Sequence, residues 1–449
     1  MINSFGKIPA IILLLGLTVQ IIYLIHTPYN IRSNDADDHI KYIEYVAQNY
    51  YIPDWSLCWE CHQSPFYYIL AGAIYKASTI FGISDKTLIY FILQAFSLFL
   101  FSLFSLISVL ILRKIFITDK NEEDKKHFSQ YYIYCLVSAL FVFWPTNIIN
   151  SARITNDILF NLFYALVLFF LIRWLDKNQN KDFYLSILFS LLAFITKAHG
   201  LLAFVLVGAC VLFVFAKDKK RFGNLKFYLK KAGLVFIIFL IGFFGSRLGA
   251  RAIDKVGGGE EKRNIMVWNV GGGLNHLLFT ENKVQNYVYF DTKIFLTEPY
   301  INNWDDKYGR QYFWNFLLKN SLFGEFFFNG LIAQNIAIGM SALLLMMMFW
   351  IVGYILFTTK ESLKNNFVLK INAGLLLIVF AAFKIVLGTN GDFRLILPIL
   401  ISISSFAGVG ILEYRRKGLK NMEIIGYSIF SLFAILSILF FTFAVFLEK

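Results

Sequence analysis

Apolar runs close to the length of a membrane-spanning helix recur from one end of this 449-residue chain to the other. A bilayer core needs roughly 20 such residues in a helix, because each adds only about 1.5 Å to its length. Lipid offers no water to unpaired backbone groups, so each run must close its hydrogen bonds within itself. Composition agrees: 58% of the residues are hydrophobic and 16% are charged, against about 25% charged in soluble domains. A soluble domain of this size has no interior large enough for that much apolar surface. A β-barrel would show alternation instead of continuous runs. The expected fold class is an all-α polytopic membrane protein.

The net charge of +13 raises the question of a nucleic-acid partner. The basic residues answer it by position. They fall in short clusters between apolar runs, as the positive-inside rule describes, so a membrane and no nucleic acid is expected. Requiring those clusters to share one side fixes a topology. Spans are placed at Ile8–Ile25, Leu88–Leu112, Tyr131–Ile149, Ile158–Leu175, Phe183–Thr196, Leu201–Phe215, Ala232–Leu248, Leu331–Phe357, Ile371–Gly388, Leu395–Leu412 and Ile424–Phe446. That makes about eleven transmembrane helices, with the N-terminus in and the C-terminus out. Pro65–Gly82 is apolar as well, but counting it as a span puts every later basic cluster on the wrong side. It is expected to lie in the outer interface. The chain then reads as 1–248, a membrane module with a first outer loop at 27–87; 249–330, an outer region; and 331–449, C-terminal helices.

This topology collects the conspicuous polar residues on the outer face. Asp35, Asp37 and Asp38 lie just beyond the first span. Carboxylates this close repel one another unless a cation or hydrogen bonds compensate. One of them can serve as a general base, or they can share a divalent metal, with Asp35, Asp38 and Asp157 as candidate ligands. The bland reading is a solvated acidic loop. Residues 39–51 carry Ile40, Ile43, Val46 and Ala47 at helical spacing, which predicts a short amphipathic helix on the membrane surface.

Arg153 and Asp157 flank a turn between two spans; Asn156 or Asp157 can cap the helix that follows, and Arg153 can hold a phosphate. Lys197 and His199 interrupt apolar runs, where an ionisable residue points to function unless the lysine snorkels to the interface. Asp392 and Arg394 can pair with each other, or Arg394 can bind a phosphate. The triplets Gly257–Gly259 and Gly271–Gly273 lack the surroundings of a phosphate loop and read as flexible. Cys135 and Cys210 sit inside apolar runs as small hydrophobes. Cys58-Trp59-Glu60-Cys61-His62 matches the c-type haem attachment pattern; a local disulfide, two unpaired thiols, or zinc held by Cys58, Cys61 and His62 are the other readings.

Taken in order from Ile8 to about Gly208, these elements resemble the C-type glycosyltransferase superfamily. The likeness is to the branch of protein O-mannosyltransferases and bacterial aminoarabinose and lipopolysaccharide sugar transferases. Asp35 stands four residues before His39, as the acidic residue of that family's first loop does before an aromatic or His. Gln63-Ser64-Pro65-Phe66-Tyr67-Tyr68, with His62 before it, stands at the family's His-Pro-Pro-Leu-Tyr-like motif. Ser151-Ala152-Arg153 with Asp157 matches its second acidic position, Thr196-Lys197 its Thr-Lys turn, and Arg394-Leu395-Ile396-Leu397-Pro398 its late Arg-containing segment; Phe323-Gly324-Glu325 is a weaker echo. Two positions depart: Ala36 stands where the family often has Glu, so the partner acid becomes Asp37 or Asp38, and Ser64 replaces the first Pro.

The resemblance implies a membrane enzyme that transfers a sugar from a polyprenyl-phosphate carrier to a lipid, glycan or protein acceptor on the outer face, with inversion. Asp35 would be the general base, and Asp37, Asp38 or Asp157 would orient the acceptor or hold a divalent metal. His39, His62, Gln63, His199 and Asp392 would line the site, and Arg394, Lys197 and Arg153 would neutralise the departing phosphate. The rival classes are a lipid or polysaccharide transporter and a membrane haem protein. Against transport, the ionisable residues in the apolar runs lie towards the ends, with Lys384 the exception. Richness in Phe, Ile, Lys and Asn suggests an AT-rich genome, and a bacterial inner membrane is the expected location.

Overall fold

The structure is a computed structural model that describes residues 6–33, 35–54, 56–117, 124–177, 179–217, 225–245, 283–301, 306–357, 367–387 and 391–446. Both glycine triplets lie outside the described residues. Among these residues every regular element is helical. In chain order the helices are α1 Lys7–His26, α2 Ala36–Asn49, α3 Phe66–Ile80, α4 Lys86–Phe116, α5 Asp124–Val142, α6 Pro145–Ser151, α7 Asp157–Lys177, α8 Asn180–Thr196 and α9 Leu201–Lys217. They continue with α10 Leu225–Gly245, α11 Val284–Val288, α12 Thr292–Thr297, α13 Phe313–Phe323, α14 Leu331–Phe357, α15 Phe367–Leu387, α16 Ile399–Arg416 and α17 Lys420–Phe446.

Eight of the described helices are long and apolar enough to cross a membrane, or nine if the bent pair α5–α6 is one span. The pair turns by 53° at its break. Pro145 opens α6 there, where its missing N–H costs nothing, while its ring keeps the preceding residue out of helical backbone. Two further expected spans are helices that fall outside the count: α8, of 17 residues, and α16. The chain is thus a polytopic all-α membrane protein. Pro65–Gly82 forms α3, whose 15 residues are short for a crossing; at about 1.5 Å per residue they fall well below a 30 Å core.

The helices group into two compact units. One comprises residues 1–27, 108–151 and 276–449, the other residues 28–107 and 152–275. The grouping follows packing in space, and α4 contributes to both.

In the first unit α14 lies along α17, α16 packs on α5, α15 and α17, and α1 packs on α5. Trp350 on α14 anchors this set. Its ring edge would lie 2.5 Å from a Cβ at Gly410, so α16 approaches only because that position has none. Its indole N–H donates to the Met422 carbonyl at 3.0 Å. Small residues at such crossings let helices pack closely where lipid tails give no hydrophobic drive.

In the second unit α7 and α8 form the most extensive helix pair, with α9 and α10 against α8 and with α2 against α3. Glu44 on α2 pins the α2–α3 pair. One of its carboxylate oxygens accepts from Tyr75 on α3 at 3.1 Å, and from Lys86 and Tyr90 on α4, each at 3.0 Å. Burial, with the Glu44 charge beside it, raises the Tyr75 hydroxyl, which therefore stays a donor.

Candidate active site

The second unit brings three stretches of the sequence together: the first loop with α2 and α3, the turn before α7, and the turn between α8 and α9. Asp35 is the residue before α2 and makes no side-chain capping bond to it. His39 is one helical turn on, so both side chains share a face. His39 is buried, and its Nδ1 lies 2.8 Å from the Tyr68 hydroxyl on α3. Tyr68 in turn stacks on Tyr42 with ring centroids 3.7 Å apart. Burial first, and the Glu60 charge second, raise the Tyr68 hydroxyl well above its ordinary value. Tyr68 is therefore a fixed neutral partner for the imidazole.

Glu60, which sequence reasoning passed over, completes this corner. Asp35, His39 and Glu60 offer ligand atoms that all lie within 4.8 Å of one another, the one such group among the described residues. It contains neither Asp38 nor Asp157. Asp38 pairs with Lys41 at 3.1 Å and Asp37 is exposed. Both sit in the first turn of α2, where a carboxylate favours the helix N-terminus. Neither belongs to the Asp35–His39–Glu60 group.

Cys58 and Cys61 form a disulfide, with Cα atoms 5.0 Å apart. A bridged pair has no thiol left for a haem thioether or a zinc ion, so the haem-attachment and Cys58–Cys61–His62 zinc readings are corrected to a local disulfide. Its bridge closes the tight turn Trp59–His62 that carries Glu60. His62 Nδ1–H donates to the Trp59 carbonyl at 2.5 Å, which leaves its Nε2 to accept from the Gln63 amide at 3.0 Å.

Gln63 carries the network to the next stretch, accepting from Asn156 at 3.4 Å. Asn156 also donates to the Thr196 carbonyl at 3.4 Å, which ties the turn before α7 to the end of α8. Beside it Lys197 Nζ donates to Asp157 Oδ1 in a buried ion pair. Lys197, expected to neutralise a phosphate, thus has Asp157 as its carboxylate partner here. Asp157 opens α7, and its other oxygen accepts from Thr155 Oγ1 at 3.1 Å. Arg153 is buried in the same turn, and Gln94 donates to the neighbouring Ala152 carbonyl at 3.1 Å. His199 sits half-buried in the 3-10 turn Ala198–Gly200. Gly200 is required there, since a Cβ would lie 2.3 Å from the Phe194 backbone nitrogen.

Asp392 and Arg394 belong to the other unit and form an ion pair with each other. Their side chains lie 3.2 Å apart, and Asp392 also accepts from the Arg394 backbone N–H at 3.0 Å. Lys384 lies in the last turn of α15 and donates to the Gln311 carbonyl. That is a structural role at a helix end for the one ionisable residue that had none.

Residues 125–243, about a quarter of the chain, match the family model described as dolichyl-phosphate-mannose-protein mannosyltransferase. The match includes Arg153, Asp157, Lys197 and His199, and excludes the Asp35–Glu60 corner. It supports a membrane glycosyltransferase of the C type. No curated protein matches the chain.

Proposed function

We propose that this protein transfers a sugar from a polyprenyl-phosphate carrier to a lipid, glycan or protein acceptor at the outer face of a membrane, a bacterial inner membrane in the first instance. The observation that carries the reading is the placement of Asp35. It is partly exposed, it is not spent on capping α2, and it belongs to the unit that contains the Asp157–Lys197 pair and most of the matched segment.

In the proposed step Asp35 accepts the proton of the acceptor's O–H or N–H as that atom attacks the anomeric carbon. The bond to the acceptor forms on one face of the sugar, and the bond to the carrier phosphate breaks on the other. The configuration inverts, and the leaving group departs as polyprenyl phosphate through an oxocarbenium-like transition state. Arg153 lies in the same unit, where a preorganised positive charge lowers the cost of the departing phosphate, and the Asp157–Lys197 pair ties the turn before α7 to the turn after α8. A carrier confined to the bilayer arrives already oriented. The Cys58–Cys61 bridge supports the outer placement of this loop, because disulfides persist on the oxidising side of a membrane.

The test is Asp35→Asn in detergent-solubilised protein supplied with a lipid-linked sugar. Loss of a general base lowers turnover by about 100-fold or more, with unchanged elution and melting. A folded Asp35→Asn protein that transfers at the wild-type rate rules the assignment out.

A further inference from the structure

The Asp35, His39 and Glu60 corner has the composition of a metal site, and three observations go beyond mere proximity. Two carboxylates and an imidazole meet within 4.8 Å, with His39 and Glu60 buried. Glu60 is only 5% exposed, and its carboxylate has no hydrogen-bond or ion-pair partner among the described residues. A buried carboxylate in that state is costly unless a cation meets it. Finally, His39 carries behind it the outer partner that metal-binding histidines usually have, the Tyr68 hydroxyl at 2.8 Å from Nδ1.

We infer that Asp35, His39 and Glu60 bind one divalent cation of the zinc or manganese class. Mixed carboxylate and imidazole donors suit those ions better than calcium or magnesium, which prefer oxygen alone. Metal–ligand bonds of about 2.1 Å at tetrahedral angles put ligand atoms about 3.4 Å apart. The corner therefore has to contract by little more than an ångström. Ligation takes the tautomer in which Nδ1–H donates to the Tyr68 oxygen and Nε2 holds the lone pair. Three protein ligands leave at least one position open, the pattern of sites that also bind water or substrate. One oxygen from each carboxylate suffices, so Asp35 keeps a second oxygen. The Cys58–Cys61 bridge acts as a positioning element, because it closes the turn on which Glu60 sits.

The experiment is calorimetric titration of the purified full chain, stripped with a chelator, using Zn2+ and Mn2+ and then Ca2+. One tight Zn2+ or Mn2+ per chain is expected, with Ca2+ much weaker. Glu60→Gln and His39→Gln should each lower affinity by at least about tenfold, and Tyr68→Phe or paired Cys58→Ser and Cys61→Ser by roughly tenfold. Asp85→Asn, an acidic change in the same unit outside the corner, should leave affinity unchanged. Because a buried substitution can misfold, the wild type is also loaded with Co2+, whose visible bands should show low-coordinate nitrogen and oxygen ligation. Absence of stoichiometric binding in the wild type, binding undiminished in folded Glu60→Gln, or a hexa-aqua-like cobalt spectrum each overturns the site. All of these readouts are of binding, so an inert transferase and an absent metal site are separate results.

Discussion

Lys197 and Asp157 stand 40 positions apart in the chain and form a buried ion pair in the fold. Reading residue by residue, each looked like a site candidate, and only the fold shows that they answer one another. Breaking such a pair from one side strands a buried charge, which costs about 3–5 kcal/mol, whereas replacing both partners by apolar residues can be nearly neutral. Lys197→Met and Asp157→Leu should therefore each lower the melting temperature of the solubilised protein, and the double variant should recover most of the loss. Additive losses in the double variant would mean that the two residues are not coupled. Glu60 was hidden for the opposite reason. Its neighbours Cys58, Cys61 and His62 form a recognisable pattern that drew attention from the acid between them. The signal that pointed to it was an acidic residue inside a two-cysteine turn.

At the scale of elements the sequence was informative where one physical rule decides. Continuous apolar runs became helices, and the amphipathic spacing at 39–51 became α2 with Ile40, Ile43, Val46 and Ala47 buried. What spacing did not reveal was which helices pair, because Glu44 reaches α3 and α4 through contacts far apart in sequence. Helix α13 adds a pH-dependent test. Burial pushes Lys319 down to about 8 from 10.5, against the opposing pull of Glu298 and Asp291. Its ammonium donates to the carbonyls of Tyr300 and Tyr308 at 3.4 and 2.9 Å. Between about pH 8 and 10.5 the unfolded chain holds more protons at this lysine than the folded one, so stability rises with pH. Lys319→Met removes that term and leaves the two carbonyls unpaired at every pH. Wild type should gain on the variant as pH climbs through that window, as seen in paired melts at pH 7, 8.5 and 10. A constant gap would mean that Lys319 titrates alike in both states.

For the whole molecule, sidedness is the property most open to direct measurement. The positions of the basic clusters predict an N-terminus inside and a C-terminus outside. A phosphatase reporter fused after Phe446 should therefore be active, and one fused after Phe116 silent; the reverse pattern would invert the topology and put the Asp35 loop on the cytosolic side. The cysteines make a finer instrument possible. Of the chain's four, Cys58 and Cys61 are bridged and Cys135 and Cys210 are buried. In oxidised protein none offers an accessible thiol. The natural chain is thus already a quiet background for spin or fluorophore attachment. A cysteine introduced singly at the rim of the first loop, paired with one in another helix, would report distances in native lipid without first stripping the protein of its own sulfur.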